Sequence, residues 1–446
     1  MTNADVPITE AKRRFDVAPQ YFGITAAVTA LFYPLAVVAF YRSGRMLGTA
    51  SGWASELSAW IVTLAAAILV YGVPAASFLI ILALGQLATP SRAQVHARAW
   101  THLAFASPPL FTAIGVLLYL LHSSSSDHIA WSAMWLVISL VTLSTGHDQP
   151  VSATQPQARA HSAWLVSAHG LCALTIVLVF LAPHIANHLT AIWSIDLHKS
   201  VMDGLRTIYR SNFIEPTLVT LLLFQIASGA ALLGKRVGVE NDIFGSLQTA
   251  AGAYLGVFVV SHLTAVFVLG RQAMQVDTNW DFAIGAPAGM MGDPWNVRLV
   301  PHYSLAVFLL FCHVACGVRM LLLGRRVSAL AATRTAVAVH RSWRSCRAHG
   351  HARHVGGSRR ANGVDARSQQ LHAAVASRSG LSAEVGGSAC SLGSSRKSAR
   401  SCSPAQVSSG FALKRCSTRR SRETASPSTA STSLSLPSSN APCGSM

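Results

Sequence analysis

The sequence predicts an all-α protein whose helices form a bundle in a membrane, and its composition and its long apolar segments both support this prediction. Of the 446 residues, 51% are hydrophobic and only 12% are charged, which is too apolar a balance for an ordinary soluble domain of this size. A spanning helix needs roughly 20 apolar residues to cross about 30 Å of hydrocarbon. Several segments between Tyr21 and Leu323 reach that length. We therefore predict a polytopic transmembrane helix bundle followed by a disordered basic C-terminal tail.

About eight spans are predicted, in two groups. They are residues 21–41, 59–82, 102–121, 129–145, 164–186, 216–233, 248–269 and 303–323. The first four form a first membrane half, 21–145, and the last four a second membrane half, 164–326. Residues 1–20 are polar and lack a short apolar stretch with a cleavage site, so we expect them to stay cytoplasmic and the first span to remain as an anchor.

The loops set the orientation and hold one further element. The basic segments "AKRR", "SRAQVHARAW", "QARAHS", "GKRVG" and "GRR" fall on one side of the membrane if the N-terminus is cytoplasmic, as the positive-inside rule requires. On the opposite, outer side, the segment "SIDLHKSVMDGLRTIYRSNFIEP" places apolar residues at helical spacing. It is typical of an amphipathic helix on the membrane surface.

The tail, 332–446, is rich in Ser, Arg, Ala and Gly and nearly free of acidic residues, so we expect it to be disordered. It holds about half of the Lys and Arg behind the formal charge of +18. We therefore expect no folded nucleic-acid surface. Two origins stay open. A one-base shift of GC-rich codons for "RAHGHARHVGG" can give an apolar run, which indicates an accidental reading frame; the alternative is a natural basic tail.

Several histidines lie inside the predicted spans, where ionisable side chains are costly and usually face the bundle interior. They are His102, His169, His184, His188, His262, His302 and His313. A b-type haem needs two axial imidazoles from different helices, small residues beside the disc, and cations near its propionates. At about 1.5 Å rise per residue, His184 and His262 lie toward the outer side of their spans, His169 lies toward the inner side and His313 lies near the middle. One or two haems are therefore predicted; two stacked haems are geometrically possible, an outer one on His184 and His262 and a deeper one on His169 and His313.

Other side chains fit around such haems. Arg206 and Arg210 in the predicted surface helix are candidate propionate partners on the outer side. His188 follows His184 by one helical turn, which also resembles a metal-ligand spacing, but it more often marks a helix cap or a propionate contact. No C-x-x-C pair occurs, so neither a zinc site nor a c-type haem attachment is supported by the cysteines.

The segments "HGLCALTIVLVFLAPHIANHL" and "HVACGVRMLLLG" resemble the cytochrome b membrane-anchor subunits of succinate dehydrogenase and fumarate reductase. His313, Gly317 and Arg319 match the H-x-x-x-G-x-R element of that family. The segment "HIANHLTAIWSIDLHKSVMDGLRTIYRS" is similar to the dihaem, quinone-responsive anchors of bacterial class III adenylate cyclases, although Gln225 stands where those anchors have a histidine. The resemblance covers about 164–270 and does not reach the first membrane half.

The resemblance implies a multi-pass protein of the bacterial inner membrane that binds one or two haem b groups and exchanges electrons with quinone or senses its redox state. Ser261, Arg319 and Trp295 are candidate quinone contacts. Because no catalytic segment is recognisable, any enzyme activity would come from a separate catalytic subunit or from a cyclase domain lost with the tail. Two other hypotheses stay open: a transporter or channel lined by histidines, and a structural anchor without a cofactor.

Overall fold

A computed structural model of the chain describes residues 19–87, 90–144, 157–239 and 241–340. These residues form helices joined by turns, and no strand occurs among them, which confirms the predicted all-α class. The α-helices are α1 (Pro19–Leu31), α2 (Tyr33–Thr49), α3 (Trp53–Gly85), α4 (Arg92–Phe105), α5 (Ser107–Leu120), α6 (Asp127–Ser144), α7 (Gln157–Ile176), α8 (Ala182–Thr190), α9 (Ile195–Tyr209), α10 (Ile214–Arg236), α11 (Ile243–Leu263), α12 (Trp280–Ile284) and α13 (Leu299–Gly324). Short 3-10 helices cover Ser124–Ser126 and Asn296–Arg298.

Seven helices of the described part are long and apolar enough to cross a membrane. They are Ile24–Thr49, Trp53–Gly85, Ser124–Ser144, Ala163–Thr190, Ile214–Arg236, Ile243–Ala273 and Asn296–Gly324. The predicted third span, 102–121, is instead a pair of helices, α4 and α5, that bend by 71° at their junction and make an eighth span if counted together. The break at Ala106 has a local cause, because Pro108 and Pro109 cannot continue the hydrogen-bond ladder of α4.

Side-chain caps fix where several helices begin. Ser91 and Gln94 form a capping box at the start of α4. Asp242 accepts a hydrogen bond from the backbone of Gly245 at the start of α11, and Ser194 does the same for Leu197 in α9. The predicted amphipathic helix in the long loop is therefore confirmed as α9, while its position on a membrane surface stays a prediction.

The two predicted membrane halves pack against each other. Ile81, Phe105 and Ala106 of the first half share one apolar cluster with residues of α11 and α13, among them Tyr254 and Leu309. An ion pair between Asp127 and Arg298, 2.7 Å long and almost fully buried, also joins the halves. The second half is thus held by extensive contacts with the first.

Two π-helical segments interrupt the spans of the second half. Val177–Leu181 lies between α7 and α8, and Thr264–Ala273 continues α11. A π segment absorbs an extra residue into a turn and often marks a functional site. Each extra residue changes the rotation of the following side chains by about 100°. Val177–Leu181 lies between His169 and His184 and therefore sets how these two side chains are rotated relative to each other, whereas Thr264–Ala273 follows His262 and affects only the side chains after it.

The first residues of the predicted tail are helical. A helix covers 329–340, and Ala332 and Ala336, one turn apart, are buried. Thr333 accepts a hydrogen bond from Arg319, which ties this helix to α13. The prediction of disorder from residue 332 is therefore wrong for 332–340. The rest of the predicted tail and the predicted cytoplasmic residues 1–18 lie outside the described residues.

Candidate functional site

Four of the predicted ligands meet in the two pairs expected from their depth. The rings of His184 in α8 and His262 in α11 have centroids 6.4 Å apart at an interplanar angle of 75°. The rings of His169 in α7 and His313 in α13 have centroids 6.5 Å apart at 79°. We call His184 and His262 pair 1, and His169 and His313 pair 2.

These separations suit two imidazoles on one metal. An imidazole nitrogen lies roughly 2 Å from a bound first-row metal ion, and the ring centre lies about 1 Å behind the nitrogen. Two axial imidazoles on one iron therefore have centroids about 6 Å apart. Imidazole rings that only pack together or share a hydrogen bond occur over a wide range of centroid separations. In both pairs here, the centroid separation is close to the value expected for two imidazoles on one iron.

The two pairs lie at different depths of the bundle. His169 and His184 are 15 residues apart on one continuous span, which is about 22 Å along a helix axis. His313 reaches α11 at the carbonyl of Gln248, 14 residues or about 21 Å from His262. Two spans thus give the same spacing of roughly 20 Å between the pairs.

The hydrogen bonds of pair 2 place the proton of each imidazole on Nδ1, so that each Nε2 carries a lone pair. His313 Nδ1 lies 3.0 Å from the backbone oxygen of Gln248, which can only accept, so Nδ1 carries the proton. The Ser228 hydroxyl donates to the carbonyl of Phe224 and can therefore accept from His169 Nδ1 at 2.8 Å. Neutral imidazoles oriented through Nδ1–H in this way are the usual form of metal-ligating histidines.

Gln225 lies beside pair 2 and occupies the nitrogen of His169 that a metal ion would bind. Its Nε2 lies 2.9 Å from His169 Nε2, so the amide donates to the lone pair that a metal would need. Its Oε1 is buried without a hydrogen-bond partner. A cofactor on His169 requires this long side chain to turn away, at the expense of a single hydrogen bond.

Glycines allow the close approach of backbones to pair 2. A Cβ atom on Gly252 would lie 3.0 Å from His313 Cε1, and one on Gly229 would lie 3.4 Å from His169 Cε1. Gly256, one turn from Gly252 toward His262, has no heavy atom within 4 Å of its would-be Cβ. Small residues beside the rings and space next to α11 are what a flat cofactor needs, so the residues present fit a haem.

Aromatic rings orient pair 1. Phe180 stacks on His184, with centroids 5.1 Å apart, and Phe258 stacks on His262 at 5.6 Å. In both cases the aromatic residue precedes the histidine by four positions, so one helix face carries both rings. His188 lies beyond them, with its ring centroid 4.6 Å from that of His184.

Cations cluster at the end of the bundle where α9 lies, which we call the α9 face. Arg206 binds Asp277 at 3.0 Å and the Thr278 carbonyl, and Arg210 binds the Thr278 hydroxyl. Arg271 pairs with Glu215 at 2.6 Å. Partial burial and the nearby cations Arg206 and Arg271 lower the pKa of Arg210 from its usual value. Asp203 also lies 3.8 Å from Arg206, so three arginines face three carboxylates at this end of the bundle.

Arg319 lies at the opposite end, beyond pair 2. Its guanidinium binds Asp242 at 3.2 Å and covers the ring of Phe244. Arg236, which sequence reasoning missed, approaches the same level by donating to Gln248 Oε1. It follows "LLGK" at the end of an apolar span, a position where basic residues are common, so the sequence held no specific signal for it.

The other candidates do not join these pairs. His102 donates from Nδ1 to the Arg98 carbonyl and approaches Thr249, so its hydrogen bonds are satisfied within the first half and α11. Trp295 packs under Arg298 at the start of α13, far from Arg319 near its end, so these two cannot contact one quinone. The ring of His302 packs on Phe258, with centroids 4.6 Å apart, and Phe258 in turn stacks on His262.

Among the described residues, no group of three or more His, Cys, Asp or Glu side chains is arranged to hold a metal ion by itself. His184 and His188 therefore lack the third ligand that a zinc site would need. Searches against protein-family models, curated proteins and solved structures gave no match.

Proposed function

We propose that this chain is an integral membrane protein that binds two haem b groups, one on pair 1 and one on pair 2, and transfers electrons between them across the membrane. The observation that supports the proposal is the shared geometry of the pairs. Each has the centroid separation of two axial ligands, and the pairs lie about 20 Å apart on the same set of spans.

A haem b held by the two histidines of each pair would supply reversible one-electron chemistry. The protein residues have the other tasks. His313 and His169 are held as Nδ1–H tautomers by Gln248 and Ser228, and Phe180 and Phe258 fix the planes of pair 1. The haem propionates would bind arginine side chains at both ends of the bundle. At the α9 face these are Arg206, Arg210 and Arg271, and at the other end they are Arg236 and Arg319.

A quinone is the proposed electron partner near pair 1. Ser261 Oγ and His302 Nδ1 are both buried and have no hydrogen-bond partner, and they belong to the packed helices α11 and α13 beside His262. A quinone carbonyl and a quinol hydroxyl are the kinds of group that satisfy such atoms. We expect Ser261→Ala to raise the KM for a soluble quinol several-fold while leaving the absorbance spectrum unchanged.

The test of haem binding is a reduced-minus-oxidised spectrum with haem quantification, on protein purified in detergent from haem-replete cells. The wild type should show the α band of six-coordinate b-type haem and two haems per chain. His262→Ala should retain the pair 2 haem alone, His313→Ala the pair 1 haem alone, and the double variant none. His128→Ala, which changes a half-exposed histidine of α6, is the matched control and should retain both. Folded protein without an α band would contradict the proposal.

A further inference from the structure

Arg98, in α4, is a buried cation that has no acidic partner among the described residues. Arg98 is only 2% exposed, and its Nη1 donates hydrogen bonds to the backbone oxygens of Val237 and Val239 at 3.1 and 2.8 Å. These two oxygens belong to the connection between α10 and α11. They carry only partial negative charges, so most of the positive charge of Arg98 stays uncompensated.

Three hydrogen-bonding atoms at this position have no partner. Arg98 Nε and Nη2 are buried without a hydrogen bond, and so is the hydroxyl of Ser246 in α11. The N–H groups of Nε and Nη2 share the edge of the guanidinium that a carboxylate binds with two hydrogen bonds. A Cβ atom on Gly85 would lie 3.2 Å from Arg98 Nη2 and 2.7 Å from Ser246 Oγ, so both groups border the same point. An acidic side chain at position 246 would therefore find its donors in place.

Arg98 lies at the end of the bundle that holds pair 2. Ser246 borders Arg98, whereas His313 lies against Gly252, six residues or one turn and about 240° further around α11. Helix α11, about 10–12 Å wide with its side chains, therefore separates the guanidinium from the His313 ring, and the two are roughly 10–15 Å apart. His262 of pair 1 is 16 residues from Ser246, which is about 24 Å along α11.

The two ends of the bundle differ in their balance of charge. At the α9 face, three arginines face three carboxylates. At the other end, Arg98, Arg236 and Arg319 share Asp242, the only carboxylate that the described residues place there. Pair 2 therefore lies in a more positive electrostatic environment than pair 1.

We propose that Arg98 raises the midpoint potential of the haem bound at pair 2 and thereby makes pair 2 the favoured position of the electron. The proposal rests on the proposed function, because it requires a haem on His169 and His313. Ferric haem carries one more positive charge than ferrous haem, so a nearby uncompensated cation favours the ferrous form. At about 12 Å and an effective dielectric constant of about 20, one unit charge changes the ratio of the two forms roughly tenfold; at about 24 Å the factor is about three.

A positioning role alone would need only the two hydrogen bonds to Val237 and Val239. A residue that acts through its charge responds to a counter-charge even when those hydrogen bonds are kept. Position 246 allows this comparison, because a carboxylate there can bind the unused edge of the Arg98 guanidinium.

The test is a potentiometric titration of the haem-loaded protein at one fixed pH, in which His262→Ala and His313→Ala assign the two midpoint potentials. Ser246→Asp should raise the ferric-to-ferrous ratio of the pair 2 haem about tenfold at a fixed ambient potential, which is a fall of about 59 mV in its midpoint. The ratio of the pair 1 haem should change about threefold or less. Ser246→Asn introduces a side chain of the same shape without the charge, so it is the matched control and should leave both potentials unchanged.

Changes at Arg98 itself provide a second test. Arg98→Gln should lower the pair 2 midpoint as Ser246→Asp does, whereas Arg98→Lys keeps the charge and should retain the wild-type potential. Arg92→Gln removes an exposed charge from the same helix, and because water and salt screen that charge, the pair 2 midpoint should barely change.

Three results would contradict the proposal in different ways. Equal pair 2 potentials in Ser246→Asp and Ser246→Asn overturn the role of Arg98 but leave the haem proposal intact. Glu240 follows Val239 in the sequence and lies outside the described residues; if Glu240→Gln raises the pair 2 potential as far as Arg98→Gln lowers it, Glu240 neutralises Arg98, which also overturns the proposal. Absence of the α band from wild-type protein overturns the proposed function, and the role of Arg98 with it.

Discussion

The hydroxyl of Tyr209, at the end of α9, donates a hydrogen bond of 2.7 Å to the carbonyl oxygen of Val179, in the middle of the π-helical segment. A π segment disturbs the regular i to i−4 ladder, and an outside donor helps to satisfy its carbonyls. The Tyr209 ring also packs edge-on against Phe180, which in turn stacks on His184. Helix α9 therefore supports the local geometry that aims His184 at His262.

Tyr209→Phe should weaken pair 1 selectively. Burial raises the pKa of Tyr209, so its hydroxyl stays protonated and donating throughout the neutral range. Removal of this bond should destabilise the π segment by about 0.5–1.5 kcal/mol. Because loss of the π turn would rotate His184 by about 100° relative to His169, the pair 1 haem should dissociate faster. The rate of haem transfer to a haem-scavenging protein measures this effect; Tyr119→Phe, in the exposed part of α5, is the control. Equal acceleration at both pairs would contradict the expectation.

Gly252 and Gly256, one turn apart on α11, should respond differently to alanine. A Cβ at Gly252 would lie 3.0 Å from His313 Cε1, so Gly252→Ala forces the ring to shift by a few tenths of an ångström, and Gly252→Val by more. We expect a weakened or altered pair 2 spectrum with pair 1 preserved. Gly256→Ala meets no heavy atom within 4 Å, so both haems should remain and the helix should gain up to about 1 kcal/mol. Low-temperature difference spectra separate the two haems, and equal behaviour of the variants would exclude a close fit at Gly252.

Ser228→Ala should lower haem affinity at pair 2. The hydroxyl of Ser228 accepts the Nδ1–H bond that orients His169, and loss of such an outer partner typically lowers metal affinity about 10–100-fold. Haem titration of the cofactor-free protein measures this change. Ser139→Ala removes a hydroxyl that bonds only within its own helix and is the control. If Ser228→Ala binds haem at pair 2 as tightly as wild type, the His169 ring must be oriented in another way.

Residue counting along the spans indicated which histidines could lie near each other, because depth in a span depends only on residue count; that these pairs hold haem stays a prediction. With about 1.5 Å per residue, His184 and His262 fall at one level, whereas His169 falls toward the inner side and His313 near the middle, several ångströms apart, so the contact of His169 with His313 was less evident from counting. Residue counting could not predict the direction in which each side chain points around the helix axis, because the π segment Val177–Leu181 has no sequence signature. The contact of Gln225 with His169 also depended on helix packing, although "LLLFQIASG" showed a polar residue inside a span.

Two prolines marked a helix break that the hydropathy of the segment did not reveal. The segment 102–121 reads as one continuous span by hydropathy, but Pro108 and Pro109 bend it at Ala106. Likewise, the start of the tail has a composition typical of disorder, yet Ala332 and Ala336 at helical spacing find a buried position beside α13. In both places, individual residues determine the local structure, and a hydropathy or composition averaged over many residues does not reveal them.

The buried ion pair between Asp127 and Arg298 should determine the stability of the whole bundle rather than either haem site. Arg298 Nη2 lies 2.7 Å from Asp127 Oδ2, and the guanidinium also covers the rings of Phe111 and Trp295 at 4.4 and 4.8 Å. Asp127→Asn leaves a buried cation without its counter-charge, which typically costs about 3–5 kcal/mol. Thermal unfolding in detergent should therefore shift strongly downward.

Two comparisons make this prediction sharp. Asp203→Asn removes a largely exposed carboxylate that lies 3.8 Å from Arg206. Because such exposed ion pairs contribute about 0–1 kcal/mol to stability, the midpoint temperature of thermal unfolding of this variant should barely change. The double change Asp127→Leu with Arg298→Met removes both charges together. Since apolar replacement of a buried pair is often neutral, the double variant should recover most of the stability that Asp127→Asn loses. If it is instead the least stable of the three, the pair contributes specific hydrogen bonds that hold the two membrane halves together, and charge balance alone does not explain its burial.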